Sequence, residues 1–246
     1  MSGIVECRGM GVQYGTFEAL RGFDLQLEAG RASVLVGPNG AGKSSCLKVL
    51  AGLESESAGT VTVLGHRPKN APRAWRSQLG VMPEHLGLFD ALSIEEHLRL
   101  SGKLYGLSGK ESATRTDELL ELLGLSEGRT RFAAACSYGM RKKTALALAV
   151  MHAPKLLILD EPFEGLDPAS CETALEFLLL LKRRGVAMIV SSHMLMHVER
   201  LADEVLLLSA GQVVWRSVAM AEGELRSHYL EVVKAKALPG LEWFRC

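Results

Sequence analysis

Two hydrophobic periods alternate along the chain. In residues 4–28, Phe23, Leu25 and Leu27 alternate with Asp24, Gln26 and Glu28, the period-two pattern of antiparallel strands with one buried face. Residues 33–36, 156–159 and 186–190 are instead apolar almost without interruption, as strands are when both faces of a parallel sheet are covered. They predict the centre of an α/β sheet. Between residues 83 and 150 the period becomes helical, with Leu119, Leu120, Leu122 and Leu123 recurring at helical spacing. Ser93 with Glu96, and Ser108 with Glu111, match the S-x-x-E capping box, in which each side chain satisfies an orphan amide at a helix start. Two or three helices inserted into an α/β unit account for this stretch. Residues 212–215 predict one more strand, and a polar, helical tail follows. The expected division is an α/β core of residues 1–83 and 151–215 that includes an N-terminal β subdomain, a helical subdomain of residues 84–150, and a tail of residues 216–246.

Charge narrows the partners. Lys plus Arg and Asp plus Glu both total 28, so no net field draws the chain to nucleic acid or to an anionic surface, and no nucleic-acid partner is expected. The clusters Arg141-Lys142-Lys143 and Lys182-Arg183-Arg184 read as solvated helix faces. Five cysteines, Cys7, Cys46, Cys136, Cys171 and Cys246, are widely spaced and include no CxxC pair, which points to neither a disulfide framework nor a zinc site. The longest apolar stretch, residues 145–159, is broken by His152, Pro154 and Lys155. A membrane span needs about 18 uninterrupted apolar residues. With no apolar signal segment at the start, a cytoplasmic location is expected.

Candidate chemistry begins at the end of the first buried strand. Gly37-Pro38-Asn39-Gly40-Ala41-Gly42-Lys43-Ser44 fits G-x-x-x-x-G-K-[ST] and stands between a predicted strand and an apolar-periodic segment, the context this phosphate-binding loop requires. Its glycines let successive amides point inward, the following helix adds its positive N-terminal end, and Lys43 supplies a full charge for the β- and γ-phosphates. Ser44 is suited to Mg²⁺. The 156–159 strand ends in Asp160-Glu161-Pro162, placing two carboxylates at the edge of an α/β sheet where ligands bind. Asp160 suits the Mg²⁺ shell, and Glu161 suits the water that attacks an in-line phosphoryl centre.

Smaller motifs follow in a fixed order: Cys136-Ser137-Tyr138-Gly139-Met140 before the Asp160 strand, Gly165-Leu166-Asp167-Pro168 after it, and His193 after the 186–190 strand, with Tyr14 far upstream. With the phosphate loop, these residues resemble the ATP-binding subunits of ABC transporters, over nearly the whole chain from Tyr14 to about Ser209. In that resemblance they correspond to the LSGGQ signature, the D-loop, the switch histidine and the aromatic that stacks on adenine. It implies a P-loop NTPase core of ABC type with an antiparallel β subdomain and an inserted helical subdomain. It also implies an ATPase that couples hydrolysis to transport through a separate integral-membrane permease, from the cytoplasmic face of the membrane. The implied nucleotide site comprises Tyr14, Gly37 to Ser44 and Ser45, with Ser44, Glu84 and Asp160 toward the metal and Glu161 and His193 catalytic. Two such subunits, identical or related, pair head to tail, so that Ser137, Gly139 and Asp167 reach the ATP of the partner. Ser137 is expected to open a helix, whose free amides suit a γ-phosphate.

Three departures from the family pattern stand out. The signature carries Cys136, Tyr138 and Met140 where the family has Leu, Gly and Gln, but retains Ser137 and Gly139. The usual Q-loop glutamine is Glu84, an added negative charge that a cation-ligand role would offset. Cys46 lies just past the phosphate loop, either a buried small residue or a redox-sensitive one. The Pro83-Glu84 and Gly139-Met140 forms are similar to a branch that includes exporters of drugs, lantibiotics, polysaccharides and haem-related cargo. A soluble ABC-type ATPase without a transport role, and a nucleotide-binding regulatory subunit that does not turn over ATP, are the alternatives; Glu161 speaks against the second. Apolar residues Leu86, Leu88, Phe89 and Leu92 suggest a groove for a short permease helix, or packing within the helical region itself.

Overall fold

The computed structural model describes residues 3–218 and 224–233. Strands β1 (Val5–Tyr14) and β2 (Phe17–Leu27) form a hairpin, and β3 (Ala32–Val36) leads through the glycine-rich loop into α1 (Lys43–Leu50). Strand β4 (Ala58–Val63), the short helix α2 (Arg73–Arg76) and strand β5 (Leu79–Met82) follow. Three helices come next, α3 (Ile94–Leu104), α4 (Gly109–Leu122) and α5 (Tyr138–Val150). The chain then returns through β6 (Leu156–Asp160), α6 (Pro168–Arg183), β7 (Ala187–Ser191), α7 (Leu195–Leu201), β8 (Glu204–Ser209), β9 (Gln212–Ser217) and α8 (Glu224–Val233).

Two sheets result. One is antiparallel in the order β2-β1-β4; the other runs β5-β6-β7-β3-β8-β9, with only β9 antiparallel to its neighbour. Each central strand of the larger sheet divides its side chains between two cores, as the period of two demands. Val34 and Val36, Leu157 and Leu159, and Met188 and Val190 face the layer built by helices α3 to α7. Leu35, Ile158 and Ile189 face α1 and the antiparallel sheet. Full burial of each such residue stabilises by about 1.5–3 kcal/mol, so the unbroken apolar runs fix this sheet between two layers. Four strands, β5, β6, β7 and β3, run in the same direction and end on one edge, and there the chain presents Glu84, Asp160 with Glu161, His193 and the glycine-rich loop.

Both expected capping boxes form: Ser93 Oγ accepts from the Glu96 amide while Glu96 accepts from the Ser93 amide, and Ser108 and Glu111 repeat the arrangement. Some local expectations are corrected. Lys142 is not on a solvated face; it is 1% exposed, and Lys182 is half-buried, bonded to the Leu201 carbonyl at 2.7 Å and paired with Asp203 at 3.2 Å. Leu86, Leu88 and Leu92 are half-buried, so of that apolar group only Phe89 is largely exposed. In the tail, α8 is anchored: Leu225 is buried in the helical-side core and His228 stacks on Trp215 at 4.8 Å. Residues 219–223 and 234–246 of the expected tail, Cys246 among them, lie outside the described residues. Among the described residues no helix is long and apolar enough to cross a membrane.

Candidate functional site

The phosphate loop owes its shape to glycine. Gly40 and Gly42 have φ of 78° and 101°, a region that side-chain-bearing residues rarely occupy. Gly42 is also the N-cap of α1 and offers no side chain to cap it. The amides of Lys43, Ser44 and Ser45, in the first turn, have no acceptor within the helix, and with the helix dipole they form a ready anion site. Lys43 curls back over the loop, where its Nζ donates to the carbonyls of Gly37 at 2.7 Å and Pro38 at 3.2 Å. Gly37 and Pro38 thus hold the lysine from behind.

Opposite the loop, β6 delivers the carboxylates. Asp160 pairs in register with Ser191 of β7, whose hydroxyl donates to Asp160 Oδ1 and accepts from the Glu161 amide at 2.8 Å. Glu161 leaves the strand with φ of 49°, a left-handed conformation costing a non-glycine residue about 1–3 kcal/mol. The turn aims its side chain across the cleft: Oε1 lies 3.9 Å from Lys43 Nζ, and Oε2 accepts from His193 Nδ1 at 2.9 Å and from the His193 amide at 3.3 Å. Glu161 therefore stands between the lysine and the histidine, held at its backbone by Ser191.

Aromatic side chains close the other end. Tyr14 and Phe17 are register partners across the two-residue turn of the β1–β2 hairpin. The Tyr14 hydroxyl donates to Glu54 and lies 3.4 Å from Ser45 Oγ; burial, then the Glu54 carboxylate, pushes the phenol above its ordinary pKa. Phe17 is 61% exposed and lines the same cleft. A planar ring could be received here.

The cleft has a volume of about 410 Å³ and gathers Tyr14, the residues from Asn39 to Ser45, Glu84, Asp160, Glu161 and His193. It does not include Ser137, Gly139 or Asp167. Ser137 caps α5, its Oγ accepting from the Met140 amide at 3.2 Å, and Asp167 caps α6, its Oδ1 accepting from the Ser170 amide at 3.0 Å. Sequence reasoning missed Phe17, Glu164 and Ser191. Phe17 had a signal, an outward-facing aromatic opposite Tyr14; Ser191 had a weak one, the first of two hydroxyls at the end of an apolar strand.

The residues present suit a hard divalent cation. Asp160 is 8% exposed, and among the described residues its carboxylate has no Lys or Arg partner within ion-pair distance. A nearly buried carboxylate without a counter-ion is costly. Ser44 and Glu84 bring further oxygens to the same cleft, and oxygen donors are what Mg²⁺ takes. No three His, Cys, Asp or Glu side chains among the described residues gather to hold a metal alone. Mg²⁺ is commonly held by one or two carboxylates together with substrate phosphates. Cys46 is fully buried, and its thiol is raised well above the ordinary value by burial first, so it is a packing residue and not a reactive one.

The family model described as ABC transporter matches residues 20–164, more than half of the chain. This chain belongs to the ABC transporter family. It is 34% identical over 201 residues to the linearmycin resistance ATP-binding protein LnrL of Bacillus subtilis, covering 82% of this chain and 65% of LnrL. It is 32% identical over 227 residues to the ABC transporter ATP-binding protein NatA of the same organism, covering 91% and 92%. A solved ATP-binding subunit of an ABC transporter superposes with a TM-score of 0.85 at 31% identity, covering 94% of this chain and all of that one. The α/β core with its antiparallel sheet and inserted helices is thus the ABC-type P-loop fold. The chain is an ATP-binding ATPase of the kind that powers these transporters.

Proposed function

We propose that this chain binds Mg-ATP in the cleft beside α1 and uses its hydrolysis to drive export through a separate integral-membrane permease. The observation that carries this reading is the meeting of Lys43, Asp160 and the Glu161–His193 pair in one cleft at the ends of three parallel strands. Lys43 and the first-turn amides of α1 hold the phosphates, and Tyr14 with Phe17 receives the base. Ser44, Asp160 and Glu84 would hold Mg²⁺, which when bound neutralises charge on the phosphates. Glu161 orients and accepts a proton from the attacking water, and His193 keeps its carboxylate aimed. The name of LnrL, a resistance protein, supports the export direction, and the name of NatA, an ABC transporter ATP-binding protein, favours transport over a soluble role.

Half of each site comes from a second subunit, on this reading. Ser137 and Asp167 are exposed outside the cleft at the starts of α5 and α6, where they can close over the ATP of a partner subunit, identical or related. The lobes divide at about residues 84–150, so that α3 to α5 move as one piece and carry Ser137 and Gly139 with them.

The permease contact lies on that lobe. A largely apolar groove of about 400 Å³ runs between the end of β5, α3 and α5, lined by Leu86, Phe89, Leu100, Leu104, Tyr105 and Leu148. Its lining flanks Glu84, with Pro83 on one side and Leu86 on the other, and Phe89 and Leu104 are 63% and 77% exposed. An amphipathic helix suits such a groove. Phe89→Asp is expected to move the subunit from the membrane fraction to the soluble one while leaving ATP affinity within about twofold, because exposed positions change stability by only about 0.5 kcal/mol. Loss of fold would return the residue to a core role. Full membrane association with normal activity would defeat the docking.

A further inference from the structure

Lysine 142 is the buried charge that the reading above does not use. It lies on α5 and is 1% exposed, yet among the described residues the oxygens nearest its ammonium stand well back, Tyr138 Oη at 3.5 Å and Glu164 Oε2 at 3.9 Å. A buried ammonium held this loosely costs several kcal/mol unless the surrounding field compensates. The field here comes from Glu164, Glu161, Asp160 and Glu84, all of which act on Lys142. Burial lowers the lysine pKa, and the four carboxylates oppose that shift.

The same face of α5 makes a second contact with the same segment. Tyr138 is one helical turn before Lys142, and residues four apart share a face. Its ring lies against Gly165, so closely that a Cβ there would stand 2.5 Å from Tyr138 Cε1. The lysine ammonium in turn lies 5.3 Å from the centre of the Tyr138 ring, within cation–π range. Tyr138, Arg141, Glu84 and Glu164 also line one cleft of about 540 Å³ beside the ATP site. Two side chains of the signature helix therefore meet Glu164-Gly165, three and four residues beyond Glu161: Tyr138 in close contact with Gly165 and Lys142 at ion-pair distance from Glu164.

We propose that Tyr138 and Lys142 form a latch within one subunit that ties α5 to the Glu161–Gly165 segment, and that Lys142 is a positioning residue for Glu161 and the counter-charge to Glu84. Motion of the helical lobe is thereby passed to the Glu161 carboxylate of its own subunit. Glu84 adds an acid to a site that already has three carboxylates, and Lys142 is the buried cation on which all four act. The inference rests on Glu161 being the residue that activates water.

The test uses the full chain and compares kcat for ATP hydrolysis with ATP affinity measured in EDTA. Lys142→Met should lower kcat roughly tenfold, the cost of a slightly misplaced catalytic group, with ATP affinity in EDTA changed less than twofold. Lys142→Arg should retain at least half of the wild-type rate. Glu84→Gln placed in the Lys142→Met background should recover part of the lost rate, because it removes the charge left unbalanced; a merely structural lysine would give no such recovery. Unchanged kcat in Lys142→Met overturns the latch, and so does an equal loss in all three Lys142 variants without recovery. If Lys142→Met does not fold, Lys142→Gln takes its place under the same criteria. If Glu161→Gln hydrolyses normally, the catalytic reading itself fails; if Glu161→Gln is inactive and Lys142→Met is normal, only the latch fails.

Discussion

Glu161→Gln is expected to slow steady-state ATP hydrolysis by roughly a hundredfold or more, the usual worth of a positioned general base, while ATP affinity stays within about twofold. Glutamine has the shape of glutamate, and its side-chain carbonyl can still accept from His193 Nδ1, now 2.9 Å from Oε2. The backbone bond from the Glu161 amide to Ser191 Oγ at 2.8 Å is untouched. What is lost is the negative charge that draws and deprotonates water, so ATP-bound protein should accumulate. Lys43 is placed differently: its ammonium sits over the loop on the Gly37 and Pro38 carbonyls, so Lys43→Ala should weaken nucleotide binding itself. Rapid-quench measurement of phosphate release, paired with a nucleotide-binding titration, separates the two effects. A Glu161→Gln enzyme that turns over near the normal rate removes Glu161 from this role.

Gly42→Ala is expected to lower the melting temperature by roughly 5–10 °C and to weaken ATP binding about tenfold or more. The new Cβ would stand 2.4 Å from the Ala19 carbonyl oxygen and 3.3 Å from Leu20 Cδ1, at a φ of 101°. Unusual backbone conformations of this kind cost about 1–3 kcal/mol, and the collision is with the backbone of β2, which is fixed in its sheet. Relief requires the loop to move away, carrying the start of α1 with it and turning the first-turn amides off the phosphates. Gly40 provides the control. Its φ is 78° but a Cβ there meets nothing within 4 Å, so Gly40→Ala should show only the conformational cost. Differential scanning calorimetry with and without ATP measures both variants, and equal effects at the two glycines would contradict the close-approach argument.

How much of this was legible beforehand differs by element. The runs at 33–36 and 156–159 announced buried strands because covering both faces leaves few polar positions, Ser33 being the exception, and the structure places them in β3 and β6. Strand β7 begins at Ala187 and not at Val186, since the Val186 amide is already taken by the Leu181 carbonyl at 3.1 Å, closing the end of α6. Strand β9 runs on to Ser217, past the expected Trp215, and Arg216 pairs with Glu204 across the edge at 2.6 Å. A charged residue on the solvent side of a last strand looks like the start of a loop when only sequence is read.

Within the site, strand ends placed the phosphate loop, Asp160, Glu161 and His193 together because parallel strands share one carboxyl edge. Ser191 escaped notice, for a buried serine at the end of an apolar run has no spacing that marks it. Lys142 was misread for a physical reason. It stands among Arg141 and Lys143 on an otherwise ordinary helix, and only tertiary packing against Tyr138 and Glu164 distinguishes it from its neighbours. Tyr138, a departure from the family pattern, likewise makes sense only with Gly165 beside it. Cys46 was ambiguous in sequence and becomes simple packing once α1 is set against the sheet.

The proposed role of ATP hydrolysis in the cleft is to power a separate membrane partner. Its most direct test is the rate of ATP hydrolysis by the full chain in two forms: purified with detergent-solubilised membranes, and stripped of them. The chain is expected to be retained with a hydrophobic polytopic protein, hydrolysis to be several-fold faster in that complex, and Phe89→Asp to abolish both. A chain that hydrolyses ATP at the same rate in both forms, and that is found wholly outside the membrane fraction, would contradict it.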